Sequence, residues 1–250
     1  MHRPMEKLHK GALELGIELA KGQLGQFEAY YREMAEWNQK VNLTAITEYG
    51  EVQVKHFLDS LTACLALDGQ PPPGAKIIDV GTGAGLPGLP LKLAFPDIRL
   101  VLTDSVGKKT RFLHHLMEVL GLADVEVFTG RAEELGHRQD LRENFDLVVS
   151  RGVAKLPVLL EYTLPFCETG GKVIAWKHAD IKKELADAEG ALKTLGGQLR
   201  GIVPVQVAGL TDQRVLVIVD KTRATPAEYS RRPGVPAKRP IKSQNARPVD

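Results

Sequence analysis

The sequence predicts an α/β fold: a seven-stranded, mostly parallel sheet at residues 74–221, with an N-terminal helical extension (1–73) and a basic, proline-rich C-terminal tail (222–250). Three observations predict it. After residue 75, short β-branched runs alternate with amphipathic stretches. Before residue 68, apolar residues recur at helical spacing, and after residue 220 the charge balance changes sharply. A chain of 250 residues suits one large domain with appendages, and 43% apolar with 26% charged residues supplies an ordinary core.

In the extension, Leu24, Phe27, Tyr30, Tyr31, Met34 and Trp37 follow three-four spacing, and Phe57, Leu58, Leu61, Cys64 and Leu65 do so again. Turn and cap residues at 42–47 separate the two groups, and Gln70-Pro71-Pro72-Pro73-Gly74 ends helical structure. Strands are expected at 76–80, 100–103, 125–128, 145–150, 173–176, 202–207 and 215–219, with helices at 89–95, 108–120, 156–166 and 180–195. Such alternation implies parallel strands covered on both faces. The last two strands are too close for an intervening helix and should pair antiparallel. Seven strands ending in that hairpin suit the methyltransferase version of the doubly wound fold better than the six-stranded dinucleotide version.

Thirty-three Lys+Arg against 31 Asp+Glu exclude a polycation. Local charge is another matter: residues 221–250 carry +6, leaving −4 for the first 220. Five prolines in the same stretch predict an extended, loosely held segment, either solvated or an arm for a polyanion. Two cysteines are too few for a disulfide scaffold or a four-thiolate zinc site. With no apolar leader and no run of 18 apolar residues, a soluble, cytoplasmic protein is expected.

Asp79-Val80-Gly81-Thr82-Gly83-Ala84-Gly85-Leu86-Pro87-Gly88 is the most informative stretch: a strand enters a turn with four glycines, and a helix follows. Glycines permit positive φ and let a ligand touch the backbone, and the helix behind offers free N–H groups. Two ligand classes compete, alongside a merely structural turn. Gly83-x-Gly85-x-x-Gly88 satisfies the dinucleotide fingerprint, with Asp104 as ribose acceptor. Against it, the first tight turn starts at Gly81, and Asp79 would lie beneath a pyrophosphate. Asp79 suits instead the charged amino-acid end of S-adenosylmethionine. Asp104-Ser105, ending the second strand, could hold ribose hydroxyls or cap the next helix. Gly130-Arg131-Ala132-Glu133 ends the third strand, where adenine would lie, and Arg151-Gly152 ends the fourth at the ligand-binding edge.

The fourth strand ends Ser150-Arg151-Gly152-Val153, not the Asn/Asp-Pro-Pro-aromatic sequence that methylates an exocyclic adenine amine. Cys167 falls within a helical stretch, away from any place for the thiolate of carbon-5 methylation. Intrinsically nucleophilic acceptors remain: a ring nitrogen, an oxygen or a small metabolite. His56 and Asp59, three apart on a helix, read as a structural pair.

The glycine turn with its Leu/Pro continuation through Leu91 resembles the bacterial small-subunit (16S) rRNA methyltransferase G family, also called glucose-inhibited division protein B. Asn42-Leu43-Thr44, His56-x-x-Asp59-Ser60-Leu61, Asp104-Ser105-x-x-Lys108-Lys109, Gly130-Arg131-Ala132-Glu133, Ser150-Arg151 and Arg232-Pro233-Gly234-x-Pro236-x-Lys238-x-Pro240 extend the resemblance over nearly the whole chain. It implies a Rossmann-like class I methyltransferase fold and methyl transfer from S-adenosyl-L-methionine to N7 of one guanine in 16S rRNA. By position, the implied cofactor contacts are Gly81, Leu86, Asp104, Ser105, Val106, Ala132, Glu133 and Arg151, beside the loop glycines Gly83 and Gly85. Leu86 stands where many members have Phe, and Val106 and Gly152 where Leu and Ala are common. Lys108, Lys109, Arg151, Arg231, Arg232, Lys238 and Arg239 would hold rRNA phosphates, with Lys177 a weaker candidate. The expected partner is 16S rRNA or an assembling small subunit; a monomer without metal or membrane attachment is expected. A small-molecule methyltransferase and a non-catalytic rRNA-binding assembly factor are the alternatives.

Overall fold

The structure, a computed structural model, describes residues 5–67 and 69–242. The extension forms α1 (Glu6–Glu14), α2 (Lys21–Val41) and α3 (Tyr49–Val52), which continues through a π-helical stretch (Gln53–Leu58) into α4 (Asp59–Leu61) and a 3-10 turn (Thr62–Ala66). Strands β1 (Lys76–Val80), β2 (Arg99–Asp104), β3 (Val125–Thr129), β4 (Phe145–Arg151) and β5 (Cys167–His178) follow, joined by α5 (Gly88–Ala94), α6 (Gly107–Leu120), α7 (Ala132–Leu135) and α8 (Leu156–Thr163). Then come α9 (Lys182–Leu195), β6 (Gly197–Val205), β7 (Arg214–Lys221) and the short α10 (Val235–Lys238).

The seven strands form one sheet in the order β3-β2-β1-β4-β5-β7-β6. The first five are parallel, and β7 runs antiparallel to both its neighbours. Successive side chains leave a strand on opposite faces, so the central strands feed two cores. Ile77, Leu100, Leu147 and Ile174 point into a cluster with α2, α5 and α6. Ile78, Val101, Val148 and Val173 point into one with α8 and α9.

The extension is part of the first cluster. Phe27, Tyr30 and Met34 are buried along α2, and Phe27 and Tyr30 lie with ring centroids 5.1 and 5.0 Å from Phe57. Polar contacts add to this packing. Gln23 Nε2 donates to the carbonyls of Leu93 and Ala94, and Gln26 Nε2 to that of Leu120. These are helix-end carbonyls with no partner inside their own helices.

Two sequence expectations differ from the structure. The helix at 156–166 ends at Thr163, and Cys167 opens β5 rather than lying in a helix. Pro165, lacking an N–H, cannot continue the helical ladder. The thiol is buried, and burial pushes it up to about 12, so it is no nucleophile.

The second difference is the tail. Residues 222–242 are docked, not loosely held; the remainder of the predicted tail, 243–250, lies outside the described residues. The docking is polar. The Arg142 guanidinium donates to four carbonyls, those of Gly136, Thr225, Pro226 and Tyr229. Buried Lys221 Nζ reaches the Leu164 carbonyl, Thr225 Oγ1 and Glu143. Glu161, fully buried, takes Arg231 in a two-pronged ion pair at 2.6 and 2.8 Å. Low apolar content misleads here because the segment is held by charges that lie far away in sequence.

Arg142→Ala should therefore loosen this segment, since hydrogen bonds from a charged donor contribute about 1.5–3 kcal/mol each. Expected are a loss of about 6 kcal/mol or more in urea unfolding if all four bonds are lost and faster proteolysis within 222–242. A variant as resistant as the parent would refute the clamp.

Candidate active site

β1 lies between β2 and β4, so the chain reverses its winding direction there, and α/β sheets bind ligands beyond the strand ends at such a point. The glycine turn occupies this place. Two carboxylates from adjacent strands hold it. Asp79 Oδ2 accepts from Thr82 Oγ1 at 2.6 Å and from the Gly88 N–H at 2.8 Å. Asp104 Oδ2 accepts from the Gly83 N–H at 3.0 Å, and its Oδ1 from the Val106 N–H at 2.8 Å. From the extension, Tyr30 donates to the Ala84 carbonyl at 2.6 Å.

Only glycine fits at two points of this turn. Gly81 has φ +74°, and a Cβ there would lie 2.5 Å from a Val153 methyl. Gly85 has φ +96°, and a Cβ would meet Leu89 at 2.5 Å and the Tyr30 hydroxyl at 2.7 Å. Gly81 thus lets Val153 pack directly on the turn, while Gly85 lets the turn sit against the extension.

Above the turn is a narrow cleft of about 80 Å³, lined by the predicted Gly81, Asp104, Ser105, Ala132 and Glu133. Val153 and Tyr162 line it as well, and the sequence analysis missed both. Gly83, Gly85, Leu86, Val106 and Arg151 do not line it. Gly83 binds Asp104 from the turn, Leu86 is buried in the first core cluster, and Val106 is exposed. Glu133 Oε1 accepts from the Gly234 N–H at 2.9 Å, so the docked C-terminal segment abuts this cleft.

A larger cleft of about 600 Å³ lies on the other side of the β4–α8 loop. Arg151 faces this second cleft. Its guanidinium meets Asp59 Oδ2 at 2.5 Å and is 12% exposed. Arg214 Nη1 meets the same oxygen, also at 2.5 Å. Asp59 is fully buried, and its Oδ1 has no hydrogen-bond partner. The anticipated link between His56 and Asp59 is absent from the described contacts; His56 Nε2 lies 2.7 Å from Thr44 Oγ1 instead. Burial and the Arg151 charge push His56 down to about 4, so it is neutral at pH 7.

The predicted phosphate-binding cations separate into two groups. Lys108, Arg232, Lys238 and Arg239 are exposed. Arg231 and Arg151 are engaged within the protein instead: Arg231 pairs with Glu161, and Arg151 shares Asp59 with Arg214, both carboxylates being fully buried. Lys109 Nζ is 3.9 Å from Asp104, and Lys177 Nζ is held by Glu184 and the Ala154 carbonyl.

Burial pushes the Asp79 carboxyl up to about 7, opposed by its bonds from Thr82 and Gly88 and by the Arg151 charge. The folded protein then holds a proton that the unfolded chain has released near pH 4, so stability falls as pH rises from 4 to 7. Asp79→Asn should flatten that fall by a few kcal/mol in urea midpoints taken at pH 4, 5.5 and 7. An unchanged pH slope would contradict the assignment.

The fold and this turn define a class: a Rossmann-like methyltransferase. A structural relative agrees at the level of fold. Geranyl diphosphate C-methyltransferase from Streptomyces coelicolor, solved with Mg2+, geranyl diphosphate and S-adenosyl-L-homocysteine, superposes with a TM-score of 0.51 at 15% identity, covering 77% of this chain and 98% of that one. The sequence profile of the rRNA small subunit methyltransferase G family matches residues 23–214. Proteins named ribosomal RNA small subunit methyltransferase G are 48% identical over 238 residues in Dehalococcoides mccartyi strain CBDB1 and 45% identical over 237 in Roseiflexus castenholzii. Each alignment spans 95% of this chain and 100% of the relative. The chain belongs to the rRNA small subunit methyltransferase G family.

Proposed function

We propose that this protein transfers the methyl group of S-adenosyl-L-methionine to N7 of one guanine in 16S rRNA, on the free RNA or on an assembling small subunit. It would act in the cytoplasm, as a monomer and without a metal ion. Among the described residues no helix is long and apolar enough to cross a membrane. The observation that carries the reading is the convergence of Gly81, Asp104, Ser105, Ala132 and Glu133 on one cleft beyond the ends of β1, β2 and β3.

The residues fit the cofactor. Asp104 keeps lone pairs for ribose hydroxyls after accepting two backbone N–H groups. Ala132 and Glu133 line the same cleft, and the Val153 side chain, which packs on Gly81, would have to turn aside for the sulfur-bearing chain to reach the backbone there. When bound, the cofactor supplies an electrophilic methyl group on a sulfonium. Guanine N7 carries a lone pair and no proton, so no residue has to remove one. The protein's task is to hold N7 in line with the methyl carbon, and orientation of this kind is worth several kcal/mol. The exposed cations Lys108, Arg232, Lys238 and Arg239 would grip phosphates and set the register of the RNA without reading its sequence.

Incubation with methyl-labelled cofactor and unmodified 16S rRNA or small subunits should place label in a single 7-methylguanosine. No incorporation at any salt concentration, or label in another nucleoside, would overturn the reading. Asp104→Ala should weaken cofactor binding by about 10- to 100-fold in calorimetry, the loss expected from hydrogen bonds to a charged acceptor. Replacing Arg232, Lys238 and Arg239 together with serine should reduce the slope of log affinity against log salt by about 2–3. An unaltered slope would remove these residues from the RNA surface.

A further inference from the structure

The docked C-terminal segment bears on the same two helices that wall the narrow cleft. Glu133, on α7, belongs to both: it lines the cleft, is buried, and accepts the Gly234 N–H at 2.9 Å. Tyr162, on α8, lines the cleft as well, and burial with the nearby Glu133 carboxylate raises its phenol above the usual range. The residue before Tyr162 is the main anchor of the segment. Glu161 accepts from the Arg231 backbone N–H at 2.9 Å and from its guanidinium, and the Glu161 carbonyl accepts from Ser230 Oγ at 2.6 Å. Behind α7, His137 Nε2 lies 2.6 Å from the Ser230 carbonyl oxygen.

The segment's free cations follow directly on these anchors. Arg232, Lys238 and Arg239 are exposed and form no ion pair among the described residues, while Pro236 between them is buried. Phosphates gripping these three side chains would hold the backbone that holds Glu133. Release of the segment would leave Glu161 buried without its counter-ion and free the Glu133 carboxylate to turn from its place in the cleft wall. A ligand that fits only the docked arrangement has its affinity lowered in proportion to the docked fraction. Two ligands that favour one arrangement strengthen each other by the same factor.

We infer that Glu133 is a positioning residue through which the docked segment shapes the cofactor cleft, so that RNA phosphates on Arg232, Lys238 and Arg239 and cofactor in the cleft secure the same arrangement and bind cooperatively. The coupling to RNA rests on the rRNA reading and deepens it; the link from the segment to the cleft does not depend on it. The role gives a physical reason for the Arg231-to-Gly234 turn: one residue fastens it and the other reaches the cleft wall.

The first measurement uses the full-length parent without RNA. S-adenosylhomocysteine at about ten times its Kd should slow amide hydrogen exchange within 229–238 about tenfold, the linkage expected if it binds only the docked form. Exchange there that ignores the ligand would overturn the link. Arg231→Ala, outside the cleft, should weaken S-adenosylhomocysteine binding about five- to tenfold in calorimetry, and Arg231→Lys should recover part of the loss. Should Arg231→Ala fail to fold, Gly234→Ala replaces it: this glycine has φ +79° with open space around a Cβ, so the change strains only the turn. Folded variants that keep the affinity within twofold would overturn the role of Glu133. A 16S rRNA transcript at saturation should then restore the affinity lost in Gly234→Ala, which a purely structural defect would not allow. A transcript that binds without restoring it would overturn the coupling to RNA. A transcript that does not bind the parent at any salt concentration would overturn the rRNA reading instead, with the link between segment and cleft still decided by the first two measurements.

Discussion

Two carboxylates beneath one turn govern this molecule. Asp79 and Asp104 end neighbouring parallel strands, and between them they accept hydrogen bonds from Thr82, Gly83 and Gly88. A glycine-rich turn has more conformational freedom to lose than any other segment, so its shape needs external ties. The carboxylates supply them from below, and Tyr30 supplies another from the side. Asp79 bears a double penalty for this, since it is fully buried and one of its oxygens has no partner. The structure accepts that cost at the point where the ligand must touch backbone.

The same logic recurs elsewhere. Asp59, Glu161 and Lys221 are all buried ionisable groups, and each ties together segments far apart in sequence. A buried carboxylate left without its partner is strongly destabilising, whereas the pair itself adds little net stability. These groups thus specify arrangement more than they add to the total. Asp59 joins the extension to two strands, Glu161 fastens the C-terminal segment, and Lys221 ends the last strand beside Glu143.

Much of the fold was legible because strands and helices write their periods locally. All seven strands, the antiparallel ending and the glycine turn follow from runs of a few residues. Gly81, Asp104, Ser105, Ala132 and Glu133, singled out from separate stretches of sequence, also line one cleft. What escaped the reading was long-range and polar. Arg231 looked like a free cation because its partner Glu161 lies 70 residues away, although a lone acid in the otherwise apolar stretch Leu156–Thr163 was a visible sign of a buried pair. The docked tail was missed for the same reason, and Cys167 because the break at Pro165 was passed over. Val153 carried no signal, since its place over Gly81 depends on a loop whose path no local pattern sets.

The chain order of the sheet has a consequence for biosynthesis. β7 is inserted between β5 and β6, so neither β6 nor the exposed side of β5 finds its neighbour until residue 221 has been made. Glu161 and Glu133 wait longer, for Arg231 and Gly234. Synthesis proceeds from the N-terminus, so the nascent polypeptide carries an unpaired sheet edge until β7 is made, and Glu161 stays an uncompensated interior carboxylate until Arg231 follows. The cleft beside Glu133 is therefore completed only after the whole sheet, and a chain cut before Arg231 loses an interior counter-ion as well as surface charge.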